Sequence, residues 1–368
     1  MFLPIYLARD FGAWSFLVFA IPNVLGAAAV AFLVPSTEAV RSFAARHLEA
    51  IRAFAWATIL FHIVFLSGFM PSGFLWLDVG IGAVAISTAL MVGLSSRPRA
   101  TRIAVGVWIG SIALALCANI FGAPHHRYSL PPDTGTFGIP SLIMAAPAIV
   151  LGFLLCPMLD GTFLATREFH GRSTKRIFLL AFGLFFPALI LLTLGYAGTL
   201  IRHNAISWYT HGHLALQSGF TIGVQWWALR WVRQVRAESA PDPDAITTLW
   251  SGRILLAVVG LTFGAAMFAQ NLGVSVPGGG TPRRFAYDLM LSLYGLTFPA
   301  YLAAIAAPRL LGRRGSVWVL LAVLGIAGPL YWVGSIDHRY WAIPVAVLVV
   351  LAAPVVSPRD REKNREIA

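Results

Sequence analysis

Residues 1–29, MFLPIYLARDFGAWSFLVFAIPNVLGAAA, are committed by Phe11 to an apolar run that reaches Val34. A membrane span takes roughly 17–25 apolar residues, so this stretch reads as a transmembrane helix entered almost at once. One Arg9 precedes the run, which is too long for the apolar core of a signal peptide. The rest of the chain repeats the pattern. Of 368 residues 58% are apolar and 11% charged, with a mean hydropathy of +0.76. A soluble chain of this size could not hide that much apolar surface, so the fold class is all-α, a polytopic transmembrane helical bundle. About eleven spans are expected, near 12–34, 51–70, 74–95, 102–121, 138–160, 176–200, 210–231, 253–271, 286–307, 317–335 and 340–356. Residues 1–356 then form one transmembrane domain, and 357–368 a charged cytoplasmic tail.

Lysine and arginine alternate between the loops. The odd-numbered loops carry Arg41 and Arg46; Arg97, Arg99 and Arg102; Arg167, Arg172, Lys175 and Arg176; Arg233 and Arg236; Arg309, Arg313 and Arg314. The even-numbered loops hold none, Arg127, Arg202, Arg283 with Arg284, and Arg339. Basic loops face the cytoplasm, which puts the C-terminus inside, the N-terminus outside and the protein in the bacterial inner membrane as a multi-pass chain. The formal net charge of +12 sits in these short loops, so it argues for membrane orientation and against nucleic acid as a partner. Cys117 and Cys156 lie inside apolar runs and make no disulfide or zinc pattern.

Three stretches resemble the bacterial sodium:solute symporter family. They are GFLLCPMLDGTFLATREFHGRSTKR (152–176), LMLSLYGLTFPAYLAAIAAPRL (289–310) and IYLARDFGAWSFLVFAIPNVLGAAA (5–29). The first is similar to a symporter helix ending in a Gly-aromatic run, a Pro and an Arg-bearing segment. The second is similar to one with a Gly-rich turn and then a Pro, and the third to the small-residue helix after the first core helix. That family uses a LeuT-type core of two inverted repeats. The resemblance makes the fifth span the sixth core helix, with its C-terminal end cytoplasmic. The first span becomes the second core helix, starting outside. Both agree with the charge pattern. The implied protein is a symporter without its first core helix, whose unwound backbone would supply sodium and substrate ligands.

The seventh span, WYTHGHLALQSGFTIGVQWWALRW (208–231), carries a polar stripe of His211, Ser218, Thr221 and Gln225. Their spacing puts them on one helix face about 21 Å long. Neutral oxygens suit a hard cation such as Na⁺, and the resemblance makes Ser218 and Thr221 hydroxyl ligands of sodium. Interhelical hydrogen bonding is the competing role. Pro22-Asn23 lies mid-span, where proline frees a backbone carbonyl, so Asn23 is a second candidate for binding solute or ion. His62 lies centrally in the second span, one turn after Thr58, as a proton relay, a substrate contact or a hydrogen-bonded structural residue. Asp78 and Asp288 are expected at solvated span ends. Asp160 is expected to pair with Arg167 or Arg172. HGH (211–213) and HHR (125–127) are too weak to argue a metal site, and no carboxylates converge for catalysis.

These readings make the chain secondary-transporter-like, not an enzyme, with sodium-coupled uptake of a small polar solute where the resemblance holds and no cofactor beyond Na⁺. The alternatives are an integral membrane lipid or glycan transferase and a non-transporting subunit that works with a membrane partner.

Overall fold

The computed structural model describes residues 3–69, 74–121, 131–203, 207–238, 245–272 and 281–358. HHR (125–127), most of VPGGGTPRR (276–284) and the tail beyond Pro358 lie outside them. The described residues form a helical bundle without a sheet. Among the described residues nine helices are long and apolar enough to cross a membrane. They include α2 (Ser15–Leu33), α4 (Leu48–Phe69), α5 (Leu75–Gly93), α6 (Arg97–Phe121), α7 (Gly138–Leu155) and α15 (Val317–Ser335). The other two expected spans are helices as well. They are α11 (Trp208–Glu238), which is long but too polar for that group, and α16 (Ala342–Val356), which is short. Leu17, Ile21 and Leu25 recur every fourth residue on α2 at 50–55% exposure, and such an apolar row suits a lipid environment rather than water.

Residues of the even-numbered loops gather on one face. Ala13 N–H donates to Pro132 O and Phe137 N–H to Asp10 O, while the Phe137 ring lies 4.6 Å from that of His338. The basic loops gather on the other. There the Arg167 guanidinium donates to the carbonyls of Val34, Pro35 and Gly171, and Glu168 pairs with Arg41 at 2.6 Å. Trp231 Nε1 donates to Glu168, and Arg230 to Gly93 O, so α11 ends on the basic face. Its opening Tyr209 ring meets Phe121 at the end of α6. This helix, the least apolar of the spans, therefore runs the full depth of the bundle.

Residues 3–11, LPIYLARDF, form a short helix, α1 (Leu3–Phe11), that is buried against the bundle. Leu3, Ile5, Leu7, Ala8 and Phe11 are all buried and Arg9 is exposed. The helix stops at Gly12, whose φ of +87° only glycine adopts without strain. A Cβ there, or at Gly135 opposite, would strike the backbone of the facing segment. The two glycines thus let the α1 turn and the 131–137 segment lie backbone against backbone. Gly26 lets α2 pack closely on α7, since a side chain there would overlap the Phe153 carbonyl.

Candidate functional site

Beneath α1 is a cavity of about 70 Å³, walled by α7, α15, α16 and α13 (Pro282–Ser292). α13 starts with Thr281 as N-cap, its hydroxyl accepting from Arg284 N–H, and Pro282 at the first helical position. This start places Arg284 and Asp288 one turn apart on the inward face. Arg284 Nε donates to Asp288 Oδ2 at 2.7 Å, and its other arm pairs with Asp10 of α1. The Asp10 and Asp288 side chains are only 5% and 8% exposed and that of Arg284 15%, so the three charges are desolvated together. Arg9, at 3.5 Å from Asp10, is 44% exposed and belongs to the surface. A positive side chain in the first turn opposes the helix dipole, and the two carboxylates offset that cost.

Tyrosines supply much of the remaining wall. Tyr6 stacks on Tyr287 at 4.2 Å, Tyr340 meets Phe11 edge-on at 5.3 Å, and Tyr294 and Tyr331 complete the lining. The helix that carries Tyr294 is wound as a π-turn over Leu293–Thr297, near the middle of the 284–311 span. Such single π-turns often mark functional positions. On the rim, burial and then the nearby Arg284 charge hold His338 below the usual imidazole range.

Tyr294 connects this cavity to deeper polar groups. Its hydroxyl is 2.6 Å from Thr58 Oγ1, and Cys156 Sγ donates to its carbonyl. His62 Nδ1 lies 2.7 Å from Thr58 O, which makes it a hydrogen-bonded residue of α4. α7 then ends in a 3₁₀ turn, Cys156–Leu159, and the chain breaks at Asp160 before α8 (Gly161–His170).

None of the five candidate residues lines the cavity. Ser218, Thr221 and Gln225 do share an inward face of α11, but their contacts diverge. Ser218 Oγ is buried without a hydrogen-bond partner, Thr221 donates back to Gln217 O, and Gln225 donates to Asp160. Asn23 is half-buried on α2 beside Pro22, and α2 packs mainly on α7. The histidines of HGH also serve packing: His213 Nδ1 is 2.8 Å from Ser111 Oγ on α6. Among the described residues no three His, Cys, Asp or Glu side chains come together as a metal group. Comparison with protein-family models, with curated proteins and with solved structures finds no match to this chain.

Two expectations change. Asp288 is not a solvated span-end residue but one arm of the buried triad. Asp160 pairs with Gln225 and Thr162 rather than with Arg167, whose guanidinium is taken by three carbonyls, while the side chain of Arg172, the other expected partner, lies outside the described residues. The triad itself, and the tyrosine wall, escaped the sequence reading. One signal was present, since RRFAYD (283–288) holds Arg and Asp four apart on a helix. The partner Asp10 lies 274 residues earlier in the chain and gives no local sign of the pairing.

Proposed function

We propose that this chain is a secondary-transporter-like carrier of the bacterial inner membrane, with its basic face cytoplasmic, that binds a small polar solute in the cavity beneath α1. The observation that carries this reading is the tyrosine-lined chamber beside a desolvated Asp10–Arg284–Asp288 triad. A volume of about 70 Å³ holds several waters or a solute of a few non-hydrogen atoms. Hydroxyl groups and one guanidinium would orient such a solute, and the apolar remainder of the wall would select against bulk. A π-turn within the cavity wall supports the reading, because carriers use interrupted helices at their binding sites.

The test is a thermal-shift survey of small amides, polyols, amines and amino acids on the wild type and on Ala148→Phe, which fills the chamber. A solute at about 100 times its Kd raises stability by about 2.7 kcal/mol. At least one class should raise the wild-type midpoint, leave Ala148→Phe unmoved and accumulate in proteoliposomes. Replacing NaCl by choline chloride reports whether sodium is coupled. No shift with any class, or an equal shift in Ala148→Phe, would overturn the cavity as the binding site.

A further inference from the structure

At the break after α7, Asp160 stands in an unusual setting. Its backbone is extended, with φ −78° and ψ 106°, and it caps the N-terminus of α8. Oδ1 accepts from Thr162 N–H at 2.8 Å, from Thr162 Oγ1 at 2.7 Å and from Gln225 Nε2 at 3.2 Å. Oδ2 has one contact, Gln225 Nε2 at 3.1 Å. Every donor is neutral, and among the described residues Asp160 forms no ion pair. Across from it Gln225 is only 2% exposed, and its Oε1 has no partner. A half-buried carboxylate held only by neutral donors is a costly charge, and a proton removes that cost.

We propose that Asp160 and Gln225 form a proton-binding site. An O–H bond forms at Asp160 Oδ2, with the proton taken from solvent. The Gln225 amide turns end for end, so that Oε1 accepts from Oδ2–H while Thr162 continues to hold Oδ1. Protonation removes a charge that no counter-ion among the described residues balances, and Oε1 gains a donor in exchange for the acceptors that Nε2 gives up. The site does not depend on what the cavity beneath α1 binds.

Other titratable groups around the break are engaged elsewhere. Cys156 donates to Tyr294 O and Tyr294 bonds Thr58; Glu49 pairs with Arg52 on α4, Glu168 with Arg41, and Arg230 of α11 with Gly93 O. Tyr301 is held by His47, while α2 and α7 bring no ionisable side chain. A carboxyl that keeps its proton on folding contributes stability that is complete below the ordinary carboxylate range and lost as pH rises.

Asp160→Asn decides the matter. Asparagine still caps α8 through Oδ1, and its NH₂ donates to Gln225 Oε1 as the protonated acid would. Relative to wild type its melting midpoint should be unchanged near pH ~4 and higher by about 2 °C or more near pH ~8. Parallel pH profiles would reduce Asp160 to a helix cap and overturn the proposal. Infrared difference spectra give an independent reading in a variant that retains Asp160. The carboxylic-acid carbonyl band should titrate in wild type, and at a different pH in Gln225→Leu, which removes both the donor to the carboxylate and the acceptor for the acid. Absence of the band, or identical titration in both proteins, would also overturn it.

Discussion

Replacing Arg284 by leucine is expected to destabilise the protein by about 3–5 kcal/mol, the usual cost of removing one partner from a buried ion pair. The guanidinium answers two carboxylates at once, Asp288 from its own helix and Asp10 from α1. Without it both stand nearly desolvated, and Arg9 is too exposed to replace it. The loss should be largely conditional on the charges left behind. Arg284→Leu combined with Asp10→Asn and Asp288→Asn should recover most of the lost stability, because the uncompensated charge is then gone. Urea denaturation in detergent, with each variant at one detergent concentration, gives the comparison. If the single replacement costs less than about 1 kcal/mol, the triad is no more than a surface pair. Failure of the triple variant to recover would mean that the guanidinium acts by packing rather than by charge.

The second large effect lies between α5 and α11. Gly219 and Gly223 form a GxxxG pair on α11, and a Cβ on Gly219 would overlap the carbonyl of Ala85, while one on Gly223 would meet Ala89 O and the Val92 side chain. In lipid the hydrophobic effect does not press helices together, so association rests on such close backbone approach. Gly219→Leu is expected to cost about 3 kcal/mol, at the upper end for overpacking, because the obstacle is backbone that cannot rotate away. Gly219→Ala should cost a smaller but measurable amount. Gly80 of α5 is the control, since nothing lies within 4 Å of a Cβ placed there. Thermal midpoints of Gly219→Leu and Gly80→Leu should differ by several degrees; equal midpoints would show that the two helices are not held by this contact.

The α11 helix also shows where sequence reading succeeds and where it stops. In its stripe of His211, Ser218, Thr221 and Gln225, Thr221 is half-buried and the other three are buried, as the 3.6-residue period demands. Gln225 of that stripe bonds Asp160 at the break after α7, and no local pattern names that partner. GFTIG (219–223) was readable as a packing motif, but its partner face, Ala85 and Ala89, was not. His62 shows the opposite case. Its Nδ1 bonds the carbonyl of Thr58, four residues earlier, so the neighbour that sequence spacing suggested is the one it uses.

By itself the sequence determined the helical membrane class, the positions of the eleven helices along the chain and the sorting of their loops between two faces. Those properties follow from local hydropathy, since burying backbone in lipid requires helices of a set length, and from loop charge. Tertiary structure alone decided that LPIYLARDF folds back as a lid, that Asp10 meets Arg284, and that Asp160 faces Gln225 instead of the basic loop. Each is a contact between residues far apart in the chain, made because a charge or amide withdrawn from water must find whichever partner the packing of helices brings within reach.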